Sequence, residues 1–89
     1  MKNLVVRSEK RFRGLVRLLE EGKKNNTRKY TEIKEILMEA GLSDDYAEKI
    51  IDELRIRGII RKMGRLGSKE PYEIDVIGLK EALKILEIR

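Results

Sequence analysis

The chain has 89 residues, a net charge of +5, an isoelectric point near 9.6 and neither cysteine nor histidine. A chain this short holds one small domain, which buries only about 60% of its unfolded surface, and the missing residue types exclude a disulfide framework and the common zinc and haem ligand sets. No apolar run approaches the roughly 20 residues of a membrane span, and "MKNLVVRSEK" has too short an apolar stretch for a signal peptide, so a cytoplasmic protein with no membrane partner is expected.

In "SEKRFRGLVRLLEEG", Phe12, Leu15, Val16 and Leu19 recur at helical spacing, with Ser8 as N-cap and Gly22 as the stop. This predicts a first helix over 8–22. The segment "KKNNTRK" has no apolar period and reads as a polar loop. A second helix is predicted over 31–40, capped by Thr31, with Ile33, Ile36, Leu37 and Ala40 on its apolar stripe and Gly41 as its end. Two residues later a third begins over 43–57, with Ser43 as N-cap and Ala47, Ile50, Ile51 and Leu54 as its stripe. Helices joined this tightly form a helix-turn-helix. After Gly58 the period shortens. "IIRKM" and "YEI" flank "GRLGSKEP", which predicts a β-hairpin over 59–74 with a basic tip. Asp75 then caps a fourth helix over 76–88, whose stripe is Val76, Leu79, Leu83 and Leu86, with Ala82 beside it.

Charge is unevenly distributed along this order. Residues 1–29 carry +7, 30–57 carry −4, 58–70 carry +3 and 71–89 carry −1. A basic balance makes polyanions natural partners, and its location matters more than its total. The high charge, abundant isoleucine and absence of glutamine and cysteine also resemble proteins selected at high temperature.

"TEIKEILMEAGLSDDYAEKIIDELRIRGIIRK" followed by "YEIDVIGLKEALKIL" resembles the winged helix-turn-helix domains of small archaeal and bacterial transcription regulators. The resemblance covers about residues 8–88. It rests on Leu54 four residues before Gly58, on the apolar pair Ile59 and Ile60, and on Tyr72, Ile74, Asp75 and Gly78 at the entry to the last helix. It implies an α+β, mostly helical fold of three helices, a β-hairpin wing and a C-terminal helix. It also implies that positions matching Asp45, Tyr46, Glu48, Lys49 and Asp52 face the DNA major groove.

Three of those five positions are acidic. Asp44 and Asp45 fall in the first turn of the third helix, where free N–H groups and the helix dipole favour negative charge. Glu48, Asp52 and Glu53 lie off the apolar stripe and are expected to face solvent or a partner. Carboxylates can accept from cytosine N4, but each also meets phosphate repulsion. Two routes to duplex DNA are open. In one, Tyr46, Lys49, Arg55 and Arg57 make contacts while the acids filter sequences. In the preferred one, phosphate contacts come from the wing (Arg61, Lys62, Arg65, Lys69) and from the first helix and its loop, chiefly Arg13, Arg17, Lys23, Lys24, Arg28 and Lys29, with Arg7, Lys10 and Arg11 nearby. The third helix is then held back.

Plainer roles stand beside these. Arg11, Arg13 and Arg17 can solvate the outer face of the first helix or pair with Glu9, Glu20 and Glu21. "GRLGSK" lacks the spacing of a nucleotide-phosphate loop and lies between strands. Carboxylates at helical spacing without histidine or cysteine do not suggest an enzyme or a cofactor, and four aromatic residues give thin support for stacking on single strands. The competing class is a protein-docking winged helix in a multi-subunit assembly, using the acidic third helix. Leu4, Val5, Val6, Ile56, Ile85 and Ile88 are left over from the stripes, and those at the chain ends suit a homodimer, as in dimeric winged-helix regulators that place two wings on a two-fold site.

Overall fold

The structure, a computed structural model, describes residues 2–63 and 71–88, with side chains described for 9–63 and 71–84. Among the described residues there are four helices and a three-stranded antiparallel sheet: α1 (Lys2–Lys24), β1 (Thr27–Arg28), α2 (Tyr30–Glu39), α3 (Asp44–Ile56), β2 (Ile60–Lys62), β3 (Tyr72–Ile74) and α4 (Val76–Ile88). The fold is mostly helical α+β, and no helix among the described residues is long and apolar enough to cross a membrane.

The α2–α3 pair is built from paired stop and start signals. Each helix ends on a glycine in the left-handed region, Gly41 at φ 107° and Gly58 at φ 76°, where a side chain would be strained. In both, two bonds close the end: Leu42 N–H donates to Leu37 O and Gly41 N–H to Met38 O, while Ile59 N–H donates to Leu54 O and Gly58 N–H to Arg55 O. The apolar residues bracketing each closure (Leu37 with Leu42, Leu54 with Ile59) are buried. Ser43 then starts α3, its Oγ accepting from the Tyr46 N–H at 3.2 Å.

Helical spacing puts Ala47, Ile50, Ile51 and Leu54 on one side of α3, and all four are buried. They meet Ile33, Ile36 and Leu37 of α2, Leu15 and Leu18 of α1, and Leu79 and Leu83 of α4 in one core that contains no buried polar residue among those described. Each fully buried leucine or isoleucine contributes roughly 1.5–3 kcal/mol, so truncating Ile51 to alanine, with the cavity it leaves, should cost about 2–5 kcal/mol.

The hairpin packs on the end of α3. Ile60 pairs with Ile74, Arg61 with Glu73 and Lys62 with Tyr72, and Asp75 N–H donates to Ile59 O at one end while Met63 N–H donates to Pro71 O at the other. Alternation turns Ile60, Tyr72 and Ile74 into the core. Asp75 starts α4 by accepting from the Gly78 N–H at 3.1 Å. The hairpin tip, with Arg65 and Lys69, lies outside the described residues, as do the side chains of Arg7, Leu4, Val5, Val6, Ile85, Leu86 and Ile88.

Several local expectations need correction. The segment "KKNNTRK" is not wholly loop: Thr27 pairs with Glu73 and Arg28 with Tyr72, which gives the sheet order β1-β3-β2. Thr31 does not cap α2. The helix starts one residue before it, with Lys29 at the N-cap position, whose N–H donates to Glu32 Oε1 at 3.1 Å. Neither Ser8 nor Gly22 bounds α1, which runs on at both ends. Gly22 is buried inside the helix, where a methyl group would stand 3.4 Å from Ile74 Cγ2 and Val76 Cγ2, so its small size serves the approach of β3 and α4.

Candidate nucleic-acid interface

The outer face of α3 carries five carboxylates: Asp44, Asp45, Glu48, Asp52 and Glu53. Four of them are ion-paired. Lys34, reaching from α2, places its Nζ 2.6 Å from Asp44 Oδ1 and 3.8 Å from Glu48 Oε2. Arg55 lies 3.9 Å from Asp52, three residues back along the helix. Glu53 does not face solvent freely: it is half-buried and accepts from Arg11 Nη2 of α1 at 2.5 Å. The carboxylate oxygens of Asp44, Asp45 and Glu48 lie within 4.8 Å of one another. Three exposed acids at that spacing have the geometry to hold a cation, and the Lys34 ammonium already supplies one. The Asp44 hydrogen bond, aided by the Asp44 and Glu48 charges, outweighs desolvation and raises the Lys34 pKa above its ordinary value, so the side chain is charged at neutral pH.

Next to this acidic corner stands an aromatic and basic one. Tyr30, at the start of α2, lies with its ring centroid 6.0 Å from that of Tyr72 on β3, and the Arg55 guanidinium sits 5.8 Å from the Tyr72 centroid, within the range of a cation–π contact. Burial first, and the Glu48 and Asp52 charges after it, raise the Tyr30 pKa, whereas Lys34 acts the other way. Lys62 is the direct cross-strand partner of Tyr72. Arg55, Tyr72 and Lys62 are thus gathered where the end of α3 meets the hairpin, at the strand pair on the tip side of the ladder. Tyr46 and Lys49 lie farther back, in an open hollow on α3 lined also by Ser43, Asp45, Glu48 and Asp52.

The remaining basic candidates separate into engaged and exposed groups. Arg28 is held: its Nη2 donates to Glu21 O at 2.8 Å and its Nε to Asn25 O at 2.9 Å, and it pairs with Glu21 and Glu32 at 3.5 and 3.7 Å. With a side chain only 15% exposed, it ties the end of α1 to the first turn of α2. Arg61 pairs with Glu73 across the sheet at 3.3 Å, Lys24 with Glu21 at 3.4 Å and Arg13 with Glu9 at 3.9 Å. Lys10, Arg17, Lys23, Lys29, Lys49, Arg57 and Lys62 are exposed, with no acidic partner among the described residues. Lys23 and Lys24 sit with Asn25 and Asn26 around the end of α1, while Arg13 and Arg17 share a hollow with Glu20 and Glu39 between α1 and α2.

Spacing rules on one helix did not reach Lys34 or the Arg11–Glu53 pair. Their partners lie ten to 42 residues away in sequence, beyond the three or four residues over which helix neighbours meet. Tyr30 went unassigned for the same reason. The comparisons give no further guide: no family model, no curated protein and no solved structure matches the chain.

Proposed function

We propose that the chain is a winged helix-turn-helix protein that binds duplex DNA, chiefly through phosphate contacts, as a small transcription regulator. The observation that carries this reading is the division of charge between the acids of α3, which end at Glu53, and the basic segment that begins at Arg55. From Leu54 to Lys69 the sequence holds Arg55, Arg57, Arg61, Lys62, Arg65 and Lys69 and no acid. Within that run the hairpin packs so that Arg55 and Lys62 flank Tyr72. Of these six, Arg55 and Arg61 face Asp52 and Glu73, whereas Arg57 and Lys62 are exposed with no acidic partner among the described residues, and like charges gathered there repel one another unless an anion offsets them. A phosphate backbone laid across the hairpin beside Tyr72 supplies that anion, with Lys29 at the start of α2 extending the contact. The carboxylates of α3, and Lys49 among them, are kept back from the groove floor.

The test is titration of a labelled random duplex at two salt concentrations. With roughly four to six phosphates neutralised, log affinity should fall with log salt at a slope of about −4 to −5, and replacing Arg61 and Lys62 by alanine should flatten that slope by about two units. No binding at about 50 mM salt, where electrostatic binding is strongest, would remove the reading. The second reading, a protein-docking winged helix, draws on Ile56, which stands 86% exposed on the last turn of α3. On that reading an Ile56→Lys variant loses a protein partner and duplex affinity does not fall.

A further inference from the structure

Asp44 and Glu48 pose a problem for any polyanion approaching the hairpin beside Tyr72. Tyr30 lies between the two corners: it precedes Lys34 by one turn of α2, and its ring packs on Tyr72, over which Arg55 lies. Glu48 precedes Arg55 by two turns of α3, about 10 Å along the helix axis, with Asp52, the ion-pair partner of Arg55, between them, and at about 0.1 M salt exposed charges still act on one another over roughly 10 Å. Two uncompensated carboxylates there would repel the phosphates that Arg55 and Lys62 attract. Lys34 stands between those two carboxylates, its Nζ 2.6 Å from Asp44 Oδ1 and 3.8 Å from Glu48 Oε2, with a side chain 21% exposed.

We infer that Lys34 is a positioning residue for DNA binding: without touching DNA, it cancels charge on Asp44 and Glu48 and so lets a phosphate backbone approach the Arg55 side of α3. This rests on the duplex-binding reading above. The Lys34–Asp44 pair is then nearly invisible to DNA as a unit, whereas the lysine alone is not. A lysine that reached phosphate directly would behave differently, because its loss could not be repaired by neutralising a neighbour.

The experiment measures random-duplex affinity and its salt slope for the full chain and for Lys34→Met, Lys34→Met with Asp44→Asn, and Lys84→Met, with folding monitored by circular dichroism. Lys84 is an exposed lysine of α4 and reports the effect of net charge alone. Lys34→Met should weaken binding roughly three- to tenfold at low salt. The double variant should return to within about twofold of the unmodified chain with the same slope, and Lys84→Met should lose less than about twofold, as distant exposed charges are screened. If Lys34→Met loses its fold, the double variant decides the matter, since it must still bind as the unmodified chain does. A double variant as weak as Lys34→Met, with a slope flatter by about one unit, would mean a direct phosphate contact and would overturn the inference. So would equal losses for Lys34→Met and Lys84→Met, or no loss for Lys34→Met. Failure of the unmodified chain to bind duplex at all would remove the functional reading and the inference together, which separates that outcome from the others.

Discussion

Two glycines on α1 should respond to alanine with opposite signs, and the difference can be worked from their surroundings. A methyl group built at Gly14 would stand 2.8 Å from Leu42 Cδ1 and 3.1 Å from Leu37 Cδ2. Both atoms end flexible side chains, but Leu37 is fully buried and Leu42 nearly so, which leaves them little space to withdraw into. Alanine improves the helix by about 0.8–1 kcal/mol, while overpacking a filled core costs about 1–3 kcal/mol. The net loss at Gly14 should be about 0.5–2 kcal/mol. At Gly22 the nearest atoms are 3.4 Å away, at the near edge of ordinary contact, so the propensity gain should survive in part, at about 0.5 kcal/mol near the end of α1. For a domain of this size about 1 kcal/mol moves Tm by roughly 4–8 °C. Thermal unfolding followed by circular dichroism should therefore show Gly14→Ala lowered by several degrees and Gly22→Ala slightly raised. If both rise together, α1 does not cross the α2–α3 turn as closely as these distances require.

Breaking the Arg11–Glu53 pair with Arg11→Met should cost about 1–2 kcal/mol, between the exposed and buried limits for ion pairs. A double-mutant cycle with Glu53→Gln checks this, and a coupling below about 0.3 kcal/mol would mean the pair does not hold α1 to α3. Stability should also fall in alkali. Tyr30 and Lys34 both hold their protons more tightly in the folded chain than their ordinary values of 10.0 and 10.5 allow. Their contribution is therefore complete below about pH 10 and is lost as the pH rises through the higher folded-state values. Urea unfolding between about pH 9 and 11 should show a decline that Tyr30→Phe and Lys34→Met each make shallower; an unchanged decline in both variants would place its origin elsewhere.

Short-range signals made much of this fold legible. Ala47, Ile50, Ile51 and Leu54 follow the helical period and are all buried, and Gly41, Ser43, Gly58 and Asp75 mark element ends because a backbone angle or an orphan N–H requires them. Where local preference competes with distant contact, local preference loses. Ser8 is a good cap for a helix starting there, yet α1 runs through it. Gly22 suits a helix stop, but what constrains it is Ile74 and Val76, more than fifty residues on. Thr27 and Arg28 form a strand only because β3 presents Glu73 and Tyr72 to them, and two residues are too few to show a period of two. The basic groups obey the same logic. Arg28 in sequence is one of several loop cations, whereas in the fold it is bound by the end of α1 and by Glu32.

The third helix of this basic chain carries acids as far as Glu53, and its basic run begins at Arg55. Its first turn gains about 0.3–1 kcal/mol for each negative charge near the free N–H groups, and its carboxylates also reach the neighbouring helices, Asp44 and Glu48 to Lys34 on α2 and Glu53 to Arg11 on α1. An apolar stripe alone tolerates some rotation and sliding of α3 in its groove. The ion pairs add contacts to two different helices, each worth about 0–1 kcal/mol where exposed. In this orientation Arg55 lies over Tyr72, whose cross-strand partner is Lys62. Amides at Asp44 or Glu48 would lessen repulsion toward a polyanion, whereas an amide at Glu53 would give up the half-buried pair with Arg11 that joins α3 to α1. On this account the α3 carboxylates that reach Lys34 and Arg11 serve packing, and the cations that follow them, from Arg55 on, are left to face a partner.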